Sequence, residues 1–329
     1  MILVTGGTGL VGSHLLLHLI ENGENVRAIY RKLVTIEKTK SLFSLFDKAS
    51  LFEKIDWIQA DIIDIPSLEI AFESVEYVYH CAALISFDPK DEAILRKTNI
   101  EGTANIVNFC IAKKVKKICF VSSIAALGDL TANEKLITEK TEWNPEKPHS
   151  DYAISKYGAE MEIWRGQQEG LNSIIVNPGV ILGPRIWEQG SGIIFKKIEK
   201  GFPFYTRGTT GFIAVTDVVR IAVKLMKSEL KNERFTLISQ NIVFQDLFNS
   251  IADALKVKRP FIYVNPLRTS FFGRMDWFVS TVFRTKRKLD RATAIASHSE
   301  NLYSNDKITR TLETDFLDIH QYIKEISRL

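Results

Sequence analysis

The first bend of the chain constrains everything after it. Residues 1–4 are apolar and have the length of a buried parallel strand. They run straight into Thr5-Gly6-Gly7-Thr8-Gly9-Leu10-Val11-Gly12. Residues 9–21 then place Leu10, Val11, Leu15, Leu16, Leu19 and Ile20 on a broad apolar helical face. The glycines Gly6, Gly9 and Gly12 recur every third residue, and each answers a steric demand. Gly6 takes the unusual φ of a tight turn, Gly9 lets a phosphate approach a backbone without a Cβ, and Gly12 thins the first helical turn for close packing. Free N–H groups and the positive end of the helix dipole then face an anion.

Composition bounds the rest. With 329 residues the chain can bury a large core, and its net charge of +4 is too small to suggest nucleic acid as a partner. Cys81, Cys110 and Cys119 lack metal spacing and read as reduced structural thiols. No signal peptide precedes the first strand and no apolar run reaches membrane-spanning length, so a cytoplasmic protein is expected.

Strand and helix alternate with short connections. Strands are predicted over 24–30, 55–60, 75–80, 116–121 and 171–176, with helices over 34–50, 91–113 and 151–168. This alternation predicts an α/β fold built on a doubly wound parallel (Rossmann) sheet, its ligand at the carboxyl ends of the strands. After Pro184 the segments shorten, which predicts a smaller, mixed C-terminal subdomain. Residues 1–178 read as the dinucleotide-binding domain and 179–329 mainly as substrate-binding, with segments 212–215 and 234–238 returning to the main sheet.

Three strand ends carry chemistry. The second ends in Tyr30-Arg31-Lys32, with no carboxylate to accept from a ribose 2′-hydroxyl but two cations that pair with a 2′-phosphate. This favours NADP over NAD. The fourth runs into Cys81-Ala82-Ala83, small residues against which a planar ring or phosphate can lie. The fifth ends in Ser122-Ser123. The next helix opens with Tyr152-Ala153-Ile154-Ser155-Lys156, which stacks Tyr152 and Lys156 one turn apart on one face. Moving a phenol from its ordinary pKa of about 10 toward neutrality takes ~4 kcal/mol. One ammonium at ~4 Å supplies about that much at an effective dielectric near 20. His14 and His18, also i and i+4, have no Cys or acidic partner nearby and read as outer-face residues rather than metal ligands.

Residues 5–12, Asn99, Ser123, Tyr152, Lys156 and Asn177-Pro178-Gly179 together resemble the extended short-chain dehydrogenase/reductase family over about residues 1–220. Within it the chain resembles the NAD(P)-dependent epimerase/dehydratase superfamily, on its dihydroflavonol-reductase and hydroxysteroid-dehydrogenase side. The resemblance implies that residues 5–12 hold the pyrophosphate and that Asp61 and Ile62 flank the adenine. It implies that Pro178, Gly179 and Val180 face the nicotinamide. Ser123, Tyr152, Lys156 and Asn99 take the catalytic positions, with Asn99, Tyr152 and Lys156 also touching cofactor.

Departures from the family pattern narrow the reaction. Sugar-nucleotide dehydratases place Asp-Glu after the catalytic hydroxyl, where this chain has Ile124-Ala125. Nucleotide-sugar epimerases carry Arg-Asp where it has Thr210-Gly211. Carbonyl or secondary-alcohol redox on an uncharged, bulky small molecule remains, with a nucleotide-sugar epimerase and a non-catalytic dinucleotide-binding regulator as alternatives. Phe261, Phe271, Phe272, Trp277, Phe278 and Phe283, followed by Arg284-Thr285-Lys286-Arg287-Lys288, fit a core helix with a solvated loop. They also fit a pocket lid or a weak membrane-surface contact near 271–291. A homodimer is compatible with the chain.

Overall fold

The computed structural model describes residues 1–184, 190–267, 269 and 291–329. The strands in chain order are β1 (Ile2–Thr5), β2 (Val26–Tyr30), β3 (Asp56–Gln59), β4 (Tyr77–His80), β5 (Lys117–Val121), β6 (Ser173–Pro178), β7 (Val180–Leu182), β8 (Phe204–Tyr205), β9 (Thr209–Ala214), β10 (Glu233–Leu237), β11 (Gln240–Val243) and β12 (Ile262–Tyr263). Seven of them form one sheet in the order β10-β6-β5-β4-β1-β2-β3, with every pairing parallel.

Successive strand residues point to opposite faces, and both faces are buried. Val4, Ala28, Cys119 and Val176 pack on one side, under α1 (Leu10–Glu21) and α9 (Val215–Lys227). Leu3, Val78, Phe120 and Ile175 pack on the other, under α6 (Gly102–Ala112) and α7 (Asp151–Gln168). α7 begins where sequence places it: the Ser150 hydroxyl accepts from the Ala153 N–H, and Asp151 lies in the first turn. The order reverses between β1 and β4, which opens a crevice at their carboxyl ends.

Four expectations change on folding. The helix expected over 34–50 is broken: one helix spans Ile36–Leu45, the chain turns at 46–48, and a single helical turn, Ala49–Phe52, follows. The helix expected over 91–113 is interrupted: α5 (Glu92–Arg96) passes through a π-helical turn, Lys97–Glu101, before α6. Of the two returning segments, only 234–238 reaches the main sheet, as β10 beside β6. Segment 212–215 lies mostly in β9, the centre of a separate mixed sheet, β11-β9-β7. β10 already occupies the open edge of β6, so β9 pairs elsewhere.

His14 is not an outer-face residue. The segment after α2 (Ile36–Leu45) closes over α1, leaving His14 only 5% exposed and edge-on to Phe46. Its Nδ1 lies 2.9 Å from the Leu10 carbonyl oxygen, and burial pushes its pKa down to about 4. Among the described residues no cluster of His, Cys, Asp or Glu is placed to hold a metal, and no helix is long and apolar enough to cross a membrane. The aromatic–basic stretch 271–288 lies outside the described residues; Phe261, just before it, is exposed, with the Lys258 ammonium over its ring.

Candidate active site

The turn after β1 is fixed by backbone sterics. Gly6 adopts φ +70°, and a Cβ there would sit 2.6 Å from the Ala82 nitrogen. A Cβ on Gly12 would sit 2.2 Å from the Gly6 carbonyl oxygen, so its close approach is to the turn itself. Gly9 caps α1 without a side-chain hydrogen bond, and the first turn of the helix holds no acid. Thr8, Leu10 and Val11 are partly exposed along the same rim, while Gly7 is buried and its carbonyl accepts from the Thr39 hydroxyl at 2.9 Å. Thin backbone, unpaired N–H groups and a helix dipole make a cradle that fits a pyrophosphate. Gly12→Ala is therefore expected to lower dinucleotide affinity at least ~10-fold and stability by about 1–3 kcal/mol. Titration of NADPH fluorescence and urea unfolding check both; unchanged affinity would remove the turn from the site.

Arg31 and Lys32 follow β2 as exposed residues, with no ion pair to a described residue. On the neighbouring strand end, after β3, Asp61 turns back on its own loop, its carboxylate accepting from the Ile63 N–H at 3.2 Å. Ile62 is buried against Gly102, where a Cβ would meet it at 2.5 Å. Beyond β4, Cys81, Ala82 and Ala83 form the facing wall, and burial pushes the Cys81 thiol well above its ordinary range.

Asn99 sits in the π-helical turn and spans that wall. Its Oδ1 accepts from the Leu84 N–H at 2.7 Å. Its Nδ2 donates to the Leu84 carbonyl and to the Ser155 hydroxyl, both at 2.9 Å. It thus anchors a loop and a helix, rather than hydrogen-bonding Tyr152 or Lys156 directly. At the end of β6, Gly179 lies so close to β9 that a Cβ would be 2.4 Å from the Gly211 oxygen. Pro178 closes β6 and Val180 opens β7 at this point.

Ser123 and Tyr152 meet in the crevice, the serine hydroxyl close enough to act on the tyrosine hydroxyl while it accepts from the Ala125 N–H at 3.1 Å. Burial raises the Tyr152 hydroxyl above the ordinary phenol value, and the Ser123 hydroxyl acts against that rise. Lys156 is 1% exposed. Its ammonium donates to the Val121 carbonyl at 2.9 Å and lies 4.4 Å from the centre of the Phe120 ring. Burial has the largest effect on the tyrosine here, and it opposes the lowering by Lys156 expected from their spacing. Burial also pushes Lys156 down to about 8, while the Glu160 carboxylate and Cys81 act to keep it charged.

Glu160 is a site residue that sequence reading missed. It continues the row Tyr152, Lys156, Glu160 at i, i+4, i+8 on α7, and that spacing was the available signal. It is fully buried and accepts from Ser122 Oγ (2.5 Å), Asn177 Nδ2 (2.5 Å) and Arg234 Nη1 (3.1 Å). Asn177 also donates to the Ser123 carbonyl at 2.9 Å, fixing that serine's backbone. At the mouth, Phe87 is half exposed with its ring edge-on to Tyr152, 5.8 Å between centroids, and Ile85 is 54% exposed beside it in sequence.

Known proteins resemble this chain in sequence and fold. Tetraketide alpha-pyrone reductase 2 of Arabidopsis thaliana is 30% identical over 238 residues, covering 68% of this chain and 73% of that protein. The crystal structure of gox2253 superposes with a TM-score of 0.81 at 26% identity, over 99% of this chain and 96% of that one. The UDP-glucose 4-epimerase of Thermotoga maritima, solved with UDP-glucose, shares the fold at a TM-score of 0.77 and 22% identity, over 99% and 97% of the two chains. The model of the NAD dependent epimerase/dehydratase family matches residues 2–237, from β1 through the strand that closes the far edge of the sheet. With the glycine cradle and the Ser123–Tyr152 pair inside that match, the chain belongs to this family and is an NAD(P)-dependent enzyme of the extended short-chain type.

Proposed function

We propose that the protein is an NADP-dependent oxidoreductase that interconverts a carbonyl and a secondary alcohol on an uncharged, bulky small molecule. The observation that supports this most is the nearness of Ser123 to Tyr152, with the half-exposed apolar ring of Phe87 edge-on to the tyrosine. A nicotinamide dinucleotide, when bound, supplies or accepts the hydride. The chain's own work is to hold one oxygen and move one proton. Ser123 Oγ holds the substrate oxygen, and Tyr152 gives it a proton in reduction or takes one in oxidation. Lys156, one turn on, keeps a positive charge near the tyrosine that favours its deprotonated side.

The epimerase alternative has less support. Thr210, where an arginine would grip a diphosphate, hydrogen-bonds the buried Tyr303 hydroxyl. Ile124 and Ala125 supply no carboxylate for water loss. The test is a panel of ketones and aldehydes assayed with NADPH and NADH, with calorimetry of UDP on the NADP-saturated protein beside it. Reduction of apolar ketones with negligible UDP binding is expected. Tight one-to-one UDP binding with no ketone turnover would overturn the reading in favour of the epimerase.

Cofactor choice rests on Arg31 and Lys32, two exposed cations without described ion pairs. Charge-assisted hydrogen bonds to a 2′-phosphate contribute roughly 1.5–3 kcal/mol. That corresponds to about a tenfold to hundredfold preference for NADP. Arg31→Ala is expected to remove most of it and Lys32→Ala less, because a guanidinium stacks on adenine while still bonding phosphate. Comparing kcat/KM for both cofactors at two salt concentrations measures this, and an NAD preference in the unmutated protein would sink it.

A further inference from the structure

A chain of buried hydrogen bonds runs beneath the crevice, with His80 at its centre. His80 ends β4 and is fully buried, as is Thr5 at the end of β1; Thr103 and Asn99 are each 1% exposed. The Ala82 N–H donates to Thr5 Oγ1 at 3.1 Å, and Thr5 Oγ1 lies 2.6 Å from His80 Nδ1. On the other side of the ring, Nε2 lies 3.0 Å from Thr103 Oγ1, which donates to the Asn99 carbonyl at 2.6 Å.

Proton counting fixes every direction. The Thr103 hydroxyl has one proton, and the Asn99 carbonyl takes it, so His80 Nε2 must carry the proton between them. Nδ1 of the neutral ring then accepts from the Thr5 hydroxyl, which in turn accepts from Ala82. A second proton on the ring would reverse the Thr5 bond and turn the Thr5 hydroxyl proton away from the ring. It would also face Lys156, whose ammonium lies over the Phe120 ring stacked on His80. Burial, with Lys156, holds the ring neutral, its pKa pushed down to about 3.

The chain continues on both sides. Thr5 adjoins Gly6, and Ala82 belongs to the wall facing it. Asn99 grips the same wall at Leu84 and donates to Ser155 Oγ, which donates to the Tyr152 carbonyl at 2.8 Å. We propose that His80 is a positioning residue whose two ring nitrogens act separately: Nδ1 sets the dinucleotide cradle through Thr5 and Ala82, and Nε2 sets Tyr152 through Thr103, Asn99 and Ser155. Only the rate arm of the test rests on the reductase reading; the binding arm does not.

The two halves separate by substitution. The asparagine side chain ends where Nδ1 stands, and the glutamine side chain reaches where Nε2 stands. His80→Asn is expected to keep the NADPH dissociation constant within about threefold and lower kcat about tenfold or more. His80→Gln is expected to weaken NADPH about tenfold or more and keep kcat at saturating NADPH within about threefold. Thr103→Val, which cuts the chain beyond His80, should match His80→Asn. Fluorescence titration gives the first quantity, and turnover of the best ketone of the panel gives the second. Loss of both quantities in equal proportion in both variants, or of neither, overturns the proposal. ¹⁵N NMR of the unmutated protein decides it even if the variants do not fold: an Nε2–H neutral ring is expected, and an Nδ1–H or charged ring overturns it. If the unmutated protein turns over no ketone, the reductase reading fails, while the titration and the NMR still judge His80.

Discussion

Tyr152→Phe is expected to lower turnover by roughly 10²–10⁴-fold, the range for loss of a positioned acid–base group, while leaving NADPH affinity almost unchanged. The substitution removes one oxygen and one transferable proton. The Tyr152 carbonyl still accepts from Ser155, the ring still meets Phe87, and α7 keeps its Ser150 cap. The loss should therefore fall on kcat, with little change in the melting temperature. Steady-state kinetics on the best ketone, paired with NADPH titration, checks it. Near-normal turnover in this variant would move the proton transfer to another group and remove the central element of the proposed mechanism.

The second large effect is expected at Glu160, which touches neither the cradle nor the substrate mouth. Lys156 titrates at about 8 rather than its ordinary 10.5 because burial penalises its ammonium, and Glu160 is the first of the groups opposing that penalty. Reduction uses a protonated Tyr152 beside a charged Lys156, so its rate should be flat below pH 8 and fall as pH rises through about 8. Glu160→Gln weakens the hold on the lysine proton. The falling limb then moves to lower pH, and the rate at pH 8 drops about fivefold for the first unit moved and about tenfold for each further one.

Stability follows the same lysine. Between about pH 8 and 10.5 the unfolded chain binds more protons at this site than the folded one. Lys156 therefore makes the unfolding free energy rise with pH across that window, and below it the full penalty of burying the ammonium is present. Glu160→Ala is harsher, because it leaves the Arg234 guanidinium without its carboxylate and strands the donors of Ser122 and Asn177. Removing one partner of a buried ion pair costs about 3–5 kcal/mol. Urea unfolding measures that loss, and the pH profile of Glu160→Gln measures the other effect. A profile superimposable on the unmutated one would show that Glu160 has no part in setting Lys156.

Local pattern was enough for much of this. A tight bend that needs glycine at three-residue spacing, a helix face at 3.6-residue period and alternating strands are all short-range constraints. Each is readable without knowing what packs where. α7 starts at Asp151 and ends at Gln168, the bounds expected from sequence, and Tyr152 and Lys156 are neighbours by helical geometry alone. The positive φ of Gly6 and the tight clearance at Gly12 follow from the same local demand.

What sequence left open depends on contacts between residues far apart in the chain. His14 looked like a surface residue because its own helix cannot say that the segment after α2 will cover it. Residues 212–215 read as a returning strand because a four-residue apolar run does not encode which sheet edge is free. That was decided when β10 took the open side of β6. Tyr152 is shifted most by desolvation, and so is Lys156, whose shift Glu160 opposes, because burial and buried charge are properties of the packed interior. His80, at the end of a strand of four residues, meets Thr5 from 75 positions before it and Thr103 from 23 after it. The sequence by itself determined the glycine turn, the placing of Tyr152 and Lys156 on one helix face and the alternation of strand and helix. Only the tertiary structure decided which buried groups hold them in register, because those hydrogen bonds exist only once the sheet has brought distant strand ends together.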